Sequence, residues 1–200
     1  FSNFAKFTTI FYGGFDGLNI LDKDNRLMRD KAASIDAGGK AGSSYTGGLG
    51  LTGTDDATMT GAGVLNNVVS AYRKASELMT DPMMVRTHIL AIPGMRDQNI
   101  TNYALRLNKD YSMSFYIMDM QHYDEDETRL FDDSTLNPDP RETAEQFSSR
   151  GVDNNYAATY FPDVYIEDES NNRNVKVPSS VVALGALGYN DKVGYPWFAP

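Results

Sequence analysis

The sequence contains no cysteine, which excludes disulfide bonds and thiolate metal ligands and favours an intracellular folding compartment. Lysine and arginine are also few, 18 in all against 27 aspartates and glutamates, so the formal net charge is -9. Contacts to nucleic-acid phosphates require clustered basic residues, and this balance argues against them. No stretch approaches the roughly 18–20 apolar residues of a membrane-spanning helix. We therefore expect a soluble protein with neither nucleic-acid nor membrane partners.

Histidine is scarce as well, since His88 and His122 are the two in the chain. A serine hydrolase requires a nucleophile, a base within hydrogen-bonding reach and an orienting acid. His88 lies within a predicted strand, where a packed imidazole is the simpler interpretation, whereas His122 lies at a strand end beside a run of carboxylates. No Gly-x-Ser-x-Gly turn is present, and Ser179-Ser180 begins a predicted helix. We therefore expect no catalytic residues.

Patterns for metals and nucleotides are incomplete. Asp22-Lys23-Asp24-Asn25 could begin a calcium-binding loop, but the glycine and glutamate that the motif needs further on are missing. The acidic runs Asp124-Glu125-Asp126-Glu127 and Asp132-Asp133 could hold a cation, although solvated loops are the simpler interpretation. Gly13-Gly14-Phe15-Asp16-Gly17 fits neither spacing of the glycine-rich phosphate loops and indicates a structural turn. We therefore expect no metal site and no cofactor.

Apolar periodicity and capping residues predict alternating helices and strands. We place helices at 64–79, 98–109 (capped by Asp97), 140–150 and 178–187. Strands are predicted at 1–12, 85–92, 114–120, 156–167 and 174–177. This alternation predicts an α/β fold, layered, with a largely parallel or mixed sheet flanked by helices.

The domain organisation follows from a shift in composition. Residues 19–59 are rich in Gly, Ser, Thr and Asp, with weak periodicity, and we interpret them as a partly flexible insertion. Residues 1–18 and 60–200 would then form one α/β core domain, a size that suits the 200-residue chain with its 41% hydrophobic content. Because the first residue is Phe and the opening residues already read as a strand, we expect the chain to be part of a longer polypeptide.

Five short motifs stand out along the core. They are Gly13-Gly14-Phe15-Asp16-Gly17, Ile89-Leu90-Ala91-Ile92-Pro93-Gly94, Tyr156-Ala157-Ala158-Thr159-Tyr160-Phe161-Pro162, Val177-Pro178-Ser179-Ser180 and Trp197-Phe198-Ala199-Pro200. In this order they resemble the middle domain of the sheath proteins of contractile phage tails. The positions that carry the resemblance are Gly13, Gly14, Asp16, Gly17, Pro93, Gly94, Tyr156, Tyr160, Pro162, Pro178, Trp197 and Pro200.

The resemblance implies an α/β domain of subtilisin-like topology without a working catalytic triad. Subunits of this family form stacked rings around an inner tail tube, and arms at their ends add strands to neighbouring subunits. Contraction moves the subunits between two arrangements during genome ejection, and no cofactor takes part. The implied partners are other sheath subunits and the tail tube. The implied location is the virion tail, assembled late in the host cytoplasm.

Because the motif Trp197-Phe198-Ala199-Pro200 resembles the end of the family's middle domain, the chain would lack both arms and would be monomeric alone. Two other classes of function remain open on the sequence. One is a serine hydrolase of α/β fold, degenerate or active, and the other is a nucleotide- or metal-binding α/β module. A serine-reactive probe tests the first, and a ligand-induced thermal shift tests the second.

Overall fold

The computed structural model describes Asp30, Ala33 and residues 67–131 and 134–195, which form a mixed α/β arrangement of helices and small sheets. The helices with described bounds are α1 (Asn67–Met79), α2 (Gln98–Tyr111), α3 (Pro140–Ser149) and α4 (Ser179–Val193). The strands are β1 (Ile89–Ala91), β2 (Phe115–Asp119), β3 (His122–Tyr123), β4 (Arg129–Leu130), β5 (Ala157–Tyr160), β6 (Val164–Asp168) and β7 (Arg173–Val177). None of the described helices is long and apolar enough to cross a membrane.

Side-chain caps start the two middle helices where the sequence predicts them. The Asp97 carboxylate accepts the backbone N–H of Asn99 and begins α2, as expected. Asp139 likewise accepts the N–H of Glu142, with Pro140 in the first turn of α3. These local signals explain why both helices start at the residues expected.

The central sheet has the strand order β1-β2-β5, and both of its strand pairs are parallel. Leu90 lies opposite Tyr116 in the first pair, and Tyr116 lies opposite Ala157 in the second. Strands β6 and β7 form a separate antiparallel hairpin, and β3 and β4 form a short antiparallel pair. The general α/β prediction is confirmed by this combination of a parallel sheet and helices.

Two predicted strands are wrong in extent. The strand expected at 85–92 is formed only at Ile89–Ala91, because its partner β2 begins opposite Ile89. His88 therefore precedes the strand and is exposed, contrary to the packed imidazole expected there. The strand expected at 156–167 breaks at the cis Phe161-Pro162 bond into β5 and β6, which belong to different sheets. Proline has no N–H to donate to a ladder, so the central sheet ends before it.

Two further elements differ from the sequence prediction. α4 passes through Gly188 and ends at Val193, since a glycine inside a helix costs only about 1 kcal/mol relative to alanine. The sequence predicts a loop for the acidic stretch after His122, but in the structure this stretch contains the β3–β4 pair. The turn of that pair is stabilised by Asp124, whose carboxylate accepts the N–H groups of Asp126 and Thr128.

The buried apolar residues form two clusters on either side of α2. The first consists of Ala33, Val68, Val69, Met95 and Ile100. The second covers one face of the sheet and consists of Leu90, Ala104, Leu105, Tyr116 and Met118. Because side chains alternate along a strand, Ile117 and Asp119 point to the opposite sheet face, which α4 contacts. The sheet thus lies between α2 and α4, and Asp119 lies at its carboxyl edge.

Candidate functional site

The carboxyl edge of the central sheet is built around Asp119, the last residue of β2, which is 2% exposed. Its Oδ2 accepts the Gly94 N–H at 2.9 Å and the Ser180 hydroxyl at 2.7 Å. Its Oδ1 accepts the Ser180 N–H at 3.1 Å and lies 3.4 Å from the Ser179 hydroxyl oxygen. We call Asp119, Gly94, Ser179, Ser180 and the Tyr160 carbonyl the Asp119 junction. A single carboxylate therefore connects three separate segments of the chain.

The loop after β1 supplies the glycine of this junction. The Met95 N–H donates to the Ile92 carbonyl and closes a four-residue turn with Pro93 and Gly94 at its centre. Gly94 has φ of 76°, the left-handed conformation that the third position of a type II turn requires. Proline before glycine favours this turn, so Gly94 presents its N–H to Asp119.

The first turn of α4 supplies the two serines. Pro178 occupies the N-cap and has no side chain that could accept the free N–H groups of the helix start. Asp119 replaces the missing cap, because it accepts the Ser180 N–H from outside the helix. The negative carboxylate also interacts favourably with the positive end of the helix dipole. The Ser179 hydroxyl donates to the Tyr160 carbonyl at 2.7 Å, which fixes the end of β5 to the same helix start.

A second polar group lies at the same edge and consists of buried arginines and aspartates. Arg96 Nη2 donates to Asp163 Oδ2 at 2.8 Å, and its backbone N–H donates to Asp30. Arg129 Nη2 donates to the other oxygen of Asp30 at 2.7 Å and has its Nη1 3.7 Å from Asp97. We call these five residues the arginine cluster. Burying so many charges is stable only because they are paired, so the cluster fixes the relative position of its segments.

His122 lies beside this cluster rather than in the Asp119 junction. Its ring meets Phe161 edge-on with centroids 5.2 Å apart, and its Nε2 lies 3.9 Å from Asp163 Oδ1. That Asp163 oxygen is buried without a hydrogen-bond partner in the described part of the chain. A cavity of about 250 Å³ opens next to it, with Lys176 and Tyr165 among its lining residues.

Burial changes the proton affinity of three groups in and beside the central sheet. Loss of solvent raises the pKa of the Asp97 carboxyl, an effect that its hydrogen bonds with Asn99 and the charge of Arg129 oppose. Burial likewise raises the pKa of the Tyr116 phenol. Burial lowers the pKa of the Arg150 guanidinium, whose Nη2 donates to the Thr101 hydroxyl.

The chemistry available at the Asp119 junction is limited by these hydrogen bonds. The Ser180 hydroxyl donates to a carboxylate and the Ser179 hydroxyl to a main-chain carbonyl, whereas a catalytic serine donates to a base that can take its proton. His122 is oriented by Phe161 and Asp163 instead. Among the described residues, no group of three His, Asp or Glu side chains is placed to hold a metal ion.

Of the motif positions that the structure describes, Pro93, Gly94, Tyr160 and Pro178 lie at or next to the Asp119 junction, whereas Tyr156 and Pro162 do not. Gly94 and the Tyr160 carbonyl belong to the Asp119 junction, and Pro178 precedes its two serines. The Tyr156 carbonyl accepts a hydrogen bond from Asn108 at the opposite end of β5. Pro93 lies in the turn before Gly94, and Pro162 lines the cavity next to His122. Outside the described residues lie Gly13, Gly14, Asp16, Gly17, Trp197, Pro200, the predicted strand at 1–12 and, except for Asp30 and Ala33, the predicted insertion at 19–59.

The residues that organise this edge carry weak sequence signals or none. One sequence feature points to Asp119. It is an acidic residue at the end of an apolar predicted strand, where a buried carboxylate needs hydrogen-bond donors. Arg96 and Asp163 lie in predicted loop and strand segments 67 residues apart, and no local pattern connects them. Pairing between such distant residues is determined by tertiary structure alone.

Comparison with known proteins does not show which family the chain belongs to. The chain matches no protein-family model, no curated protein and no solved structure. Its function must therefore be inferred from the residues and their geometry.

Proposed function

We propose that the chain is a structural part of a contractile tail sheath subunit, a protein that assembles around an inner tube and does no chemistry itself. The contacts between subunits would carry out its function. Its partners would be neighbouring copies and the tube, and its topology would be the degenerate subtilisin-like one that the sheath motifs imply.

The observation that carries this proposal is the convergence of three motif segments at the Asp119 junction, where Gly94 and Ser180 donate to the carboxylate and the Tyr160 carbonyl accepts from Ser179. In α/β enzymes, the carboxyl edge of a parallel sheet is the usual place for a ligand or a catalytic group. Here the carboxylate at that edge accepts hydrogen bonds from Gly94 and Ser180, and so it holds segments of the same domain together. Motif residues that hold a domain together are expected in a building block, where shape matters and turnover does not.

The exposed surface supports a role in contacts between proteins. Met83 is 91% exposed and Tyr165 71% exposed, and several other large apolar side chains are also open to solvent. Tyrosine and methionine are enriched at protein interfaces. The β6–β7 hairpin, which carries Tyr165, forms its own two-stranded sheet. Such a hairpin is only marginally stable alone, and contact with a neighbour would stabilise it.

In this proposal contraction is a change of packing. A sheath stores free energy when its subunits are held in the less stable of two arrangements, and release moves each subunit as a rigid body. The arginine cluster suits that task, because buried ion pairs such as Arg96 with Asp163 and Arg129 with Asp30 resist internal deformation.

The proposal is tested by electron microscopy of the intact subunit, expressed alone and negatively stained. Hollow striated tubes or stacked rings are the expected result. Dispersed particles at every salt concentration and protein concentration tested would count against it.

The hydrolase alternative is tested separately with a fluorophosphonate probe. We expect no labelled serine, since Ser180 donates to the buried Asp119 carboxylate, Ser179 donates to a main-chain carbonyl, and neither serine donates to a histidine. Labelling that Ser180→Ala or His122→Ala abolishes would establish a nucleophile and overturn the structural role. For the binding-module alternative, a rise in melting temperature with magnesium-ATP or calcium would be the corresponding sign.

A further inference from the structure

The cavity beside His122 carries two opposite charges. It has a volume of about 250 Å³, and residues 134–138 line it together with His122, Asp163, Tyr165 and Lys176. We call it the hairpin cavity, because the last two of these residues belong to the β6–β7 hairpin. Pockets for drug-sized ligands measure roughly 300–1,000 Å³, so this one suits a molecule of the size of an amino acid better than a dinucleotide.

The Asp163 carboxylate has one oxygen that lacks a donor. Its Oδ2 accepts Arg96 Nη2 at 2.8 Å, but its Oδ1 is buried and accepts no hydrogen bond from the described part of the chain. The His122 Nε2 atom is 3.9 Å from this Oδ1, which is too far for a hydrogen bond. The Asp163 side chain is only 6% exposed. Because an unsatisfied buried carboxylate oxygen is costly, a ligand that brings a donor to it gains stabilisation.

The positive charge of the hairpin cavity comes from the neighbouring strand. Lys176 lies opposite Tyr165 in the β6–β7 register, so the two side chains share one face of the hairpin. Asp163 lies two residues before Tyr165, and side-chain alternation along an extended chain places it on the same face. Diagonal neighbours of this kind have Cα atoms about 7–8 Å apart. The Lys176 ammonium forms no ion pair with any residue that the structure describes, so it is available to a ligand.

Two opposite charges in one cavity select a ligand that carries both. A simple anion such as sulfate offers no donor to Asp163, and a simple amine is repelled by Lys176. A zwitterion satisfies both groups, since its ammonium donates to the aspartate and its carboxylate pairs with the lysine. The long, flexible lysine side chain can reach a carboxylate that is attached to the same carbon as the ammonium.

The other walls of the hairpin cavity are apolar and favour an apolar ligand side chain. Leu136, Pro138 and Phe161 line it, and the Phe161 ring is held edge-on against His122. Tyr165, which is 71% exposed, adds an aromatic surface where the cavity opens to solvent. Apolar walls with a few polar groups that fix the orientation are the usual composition of a small-molecule site.

We propose that the hairpin cavity binds a free apolar α-amino acid such as phenylalanine. The ligand ammonium donates to Asp163 Oδ1, the ligand carboxylate pairs with Lys176, and the ligand ring packs against Phe161. Arg96 positions the aspartate by holding its other oxygen. This site goes beyond the sheath role and does not rest on it, because a structural subunit can also carry a small-molecule site.

Isothermal titration calorimetry of the 200-residue chain with L-phenylalanine tests the site, and we expect saturable binding. Two analogues separate the charges. N-acetyl-L-phenylalanine keeps the carboxylate without the ammonium, and 2-phenylethylamine keeps the ammonium without the carboxylate. Each should bind at least about ten-fold more weakly than phenylalanine, because one charged contact is lost. No binding of phenylalanine at millimolar concentration, or equal affinity for all three compounds, would overturn the inference.

A lysine variant assigns the binding to this cavity. Lys176→Met keeps the length of the side chain without its charge and should weaken phenylalanine binding at least about ten-fold. The same variant should bind 2-phenylethylamine no more weakly than the parent does, since the repelling charge is gone. Lys109→Met, at the exposed end of α2, is the matched control and should bind phenylalanine as the parent does. Equal phenylalanine affinities of the two variants would show that the cavity is not the site.

An aspartate variant tests the other end of the ligand. Asp163→Asn removes the charge that receives the ammonium and should abolish the preference for phenylalanine over N-acetyl-L-phenylalanine. Because this change also weakens the pair with Arg96, circular dichroism establishes first that the variant is folded. A folded variant that keeps the full preference would contradict the inference. If the variant does not fold, the comparison of Lys176→Met with Lys109→Met decides.

Discussion

Asp119 illustrates how one buried carboxylate can organise a domain edge. It accepts donors from Gly94 in the loop after β1 and from Ser180 at the start of α4. Without Asp119 the buried N–H and hydroxyl of Ser180 and the partly buried N–H of Gly94 would each lose their hydrogen-bond acceptor, which is costly. Asp119 therefore stabilises the fold in two ways. Its own buried charge is hydrogen-bonded, and it supplies an acceptor to donors on other segments.

Replacement of Asp119 tests this role. Asp119→Asn keeps the shape but turns one acceptor into a donor that faces other donors. We expect the free energy of unfolding to fall by about 2–4 kcal/mol, measured by urea denaturation. Ser180→Ala removes one donor and should cost about 1–2 kcal/mol.

A surface aspartate provides the comparison. Asp126→Asn makes the same chemical change on an exposed turn and should alter stability by less than about 0.5 kcal/mol. If Asp119→Asn lowered the free energy of unfolding as little as this control does, the hydrogen bonds to Asp119 would not hold the domain edge together.

Asp97 gives a prediction about pH. Burial raises the pKa of its carboxyl above the ordinary value of 3.8, so the folded protein holds this proton more tightly than the unfolded chain does. By linkage, the ionised carboxylate destabilises the fold progressively as pH rises through that raised pKa. Asparagine caps a helix as well as aspartate does and does not titrate. The unfolding free energy of Asp97→Asn relative to the parent should therefore increase between about pH 3 and about pH 7.

The control is the other aspartate cap. Asp139→Asn at the start of α3 removes one negative charge in the same way, and its own pH series subtracts the effect of net charge. A relative stability of Asp97→Asn that falls with pH, after this subtraction, would show that the carboxylate is stabilising when ionised.

At the scale of elements, α4 combines a weak helix sequence with an uncovered face. Gly185→Ala and Gly188→Ala should each raise the free energy of unfolding of the isolated chain by about 0.5–1 kcal/mol, because alanine is the better helix former. Thermal or urea unfolding measures the gain. Ala183→Gly on the same helix should have the opposite sign. Destabilisation by the alanines would mean that atoms of the chain do approach these positions.

Elements with local signals were predicted well from the sequence. The helix starts at Gln98 and Pro140 follow from neighbouring aspartates whose side chains cap them. The strand at 85–92 was predicted too long, because β1 extends only where β2 is present to pair with it. Strand length depends on a partner distant in sequence, and periodicity does not report it.

The candidate site likewise combines residues that the local sequence predicts with residues that it does not predict. Pro93 and Gly94 could be assigned to a turn, since their dipeptide carries its own conformational preference. The partners of that turn, Asp119 and Ser180, become neighbours only when the parallel sheet and α4 assemble. Arg96 and Asp163 were likewise unpredictable, because the burial that forces them to pair is a property of the folded chain.

At the scale of the whole molecule, the net charge bears on the assembly state. We expect the 200-residue chain to sediment as a monomer at micromolar concentration in low salt, because its net charge of -9 opposes association. Sedimentation velocity at low and high salt provides the measurement. A discrete oligomer or fibre of this chain at low salt would show that its own surfaces are sufficient for assembly.

Ala33 and Val68 belong to the same buried cluster, although residues 34–67 separate them in the chain. The core therefore fixes the two ends of that stretch as neighbours, whatever path the stretch follows. The entropy of holding two points of a flexible chain together changes only with the logarithm of the number of residues between them, so doubling that number costs about 0.6 kcal/mol. A fluorescent domain or an affinity tag inserted there should leave the core intact, which offers a way to label the protein and to test whether it assembles.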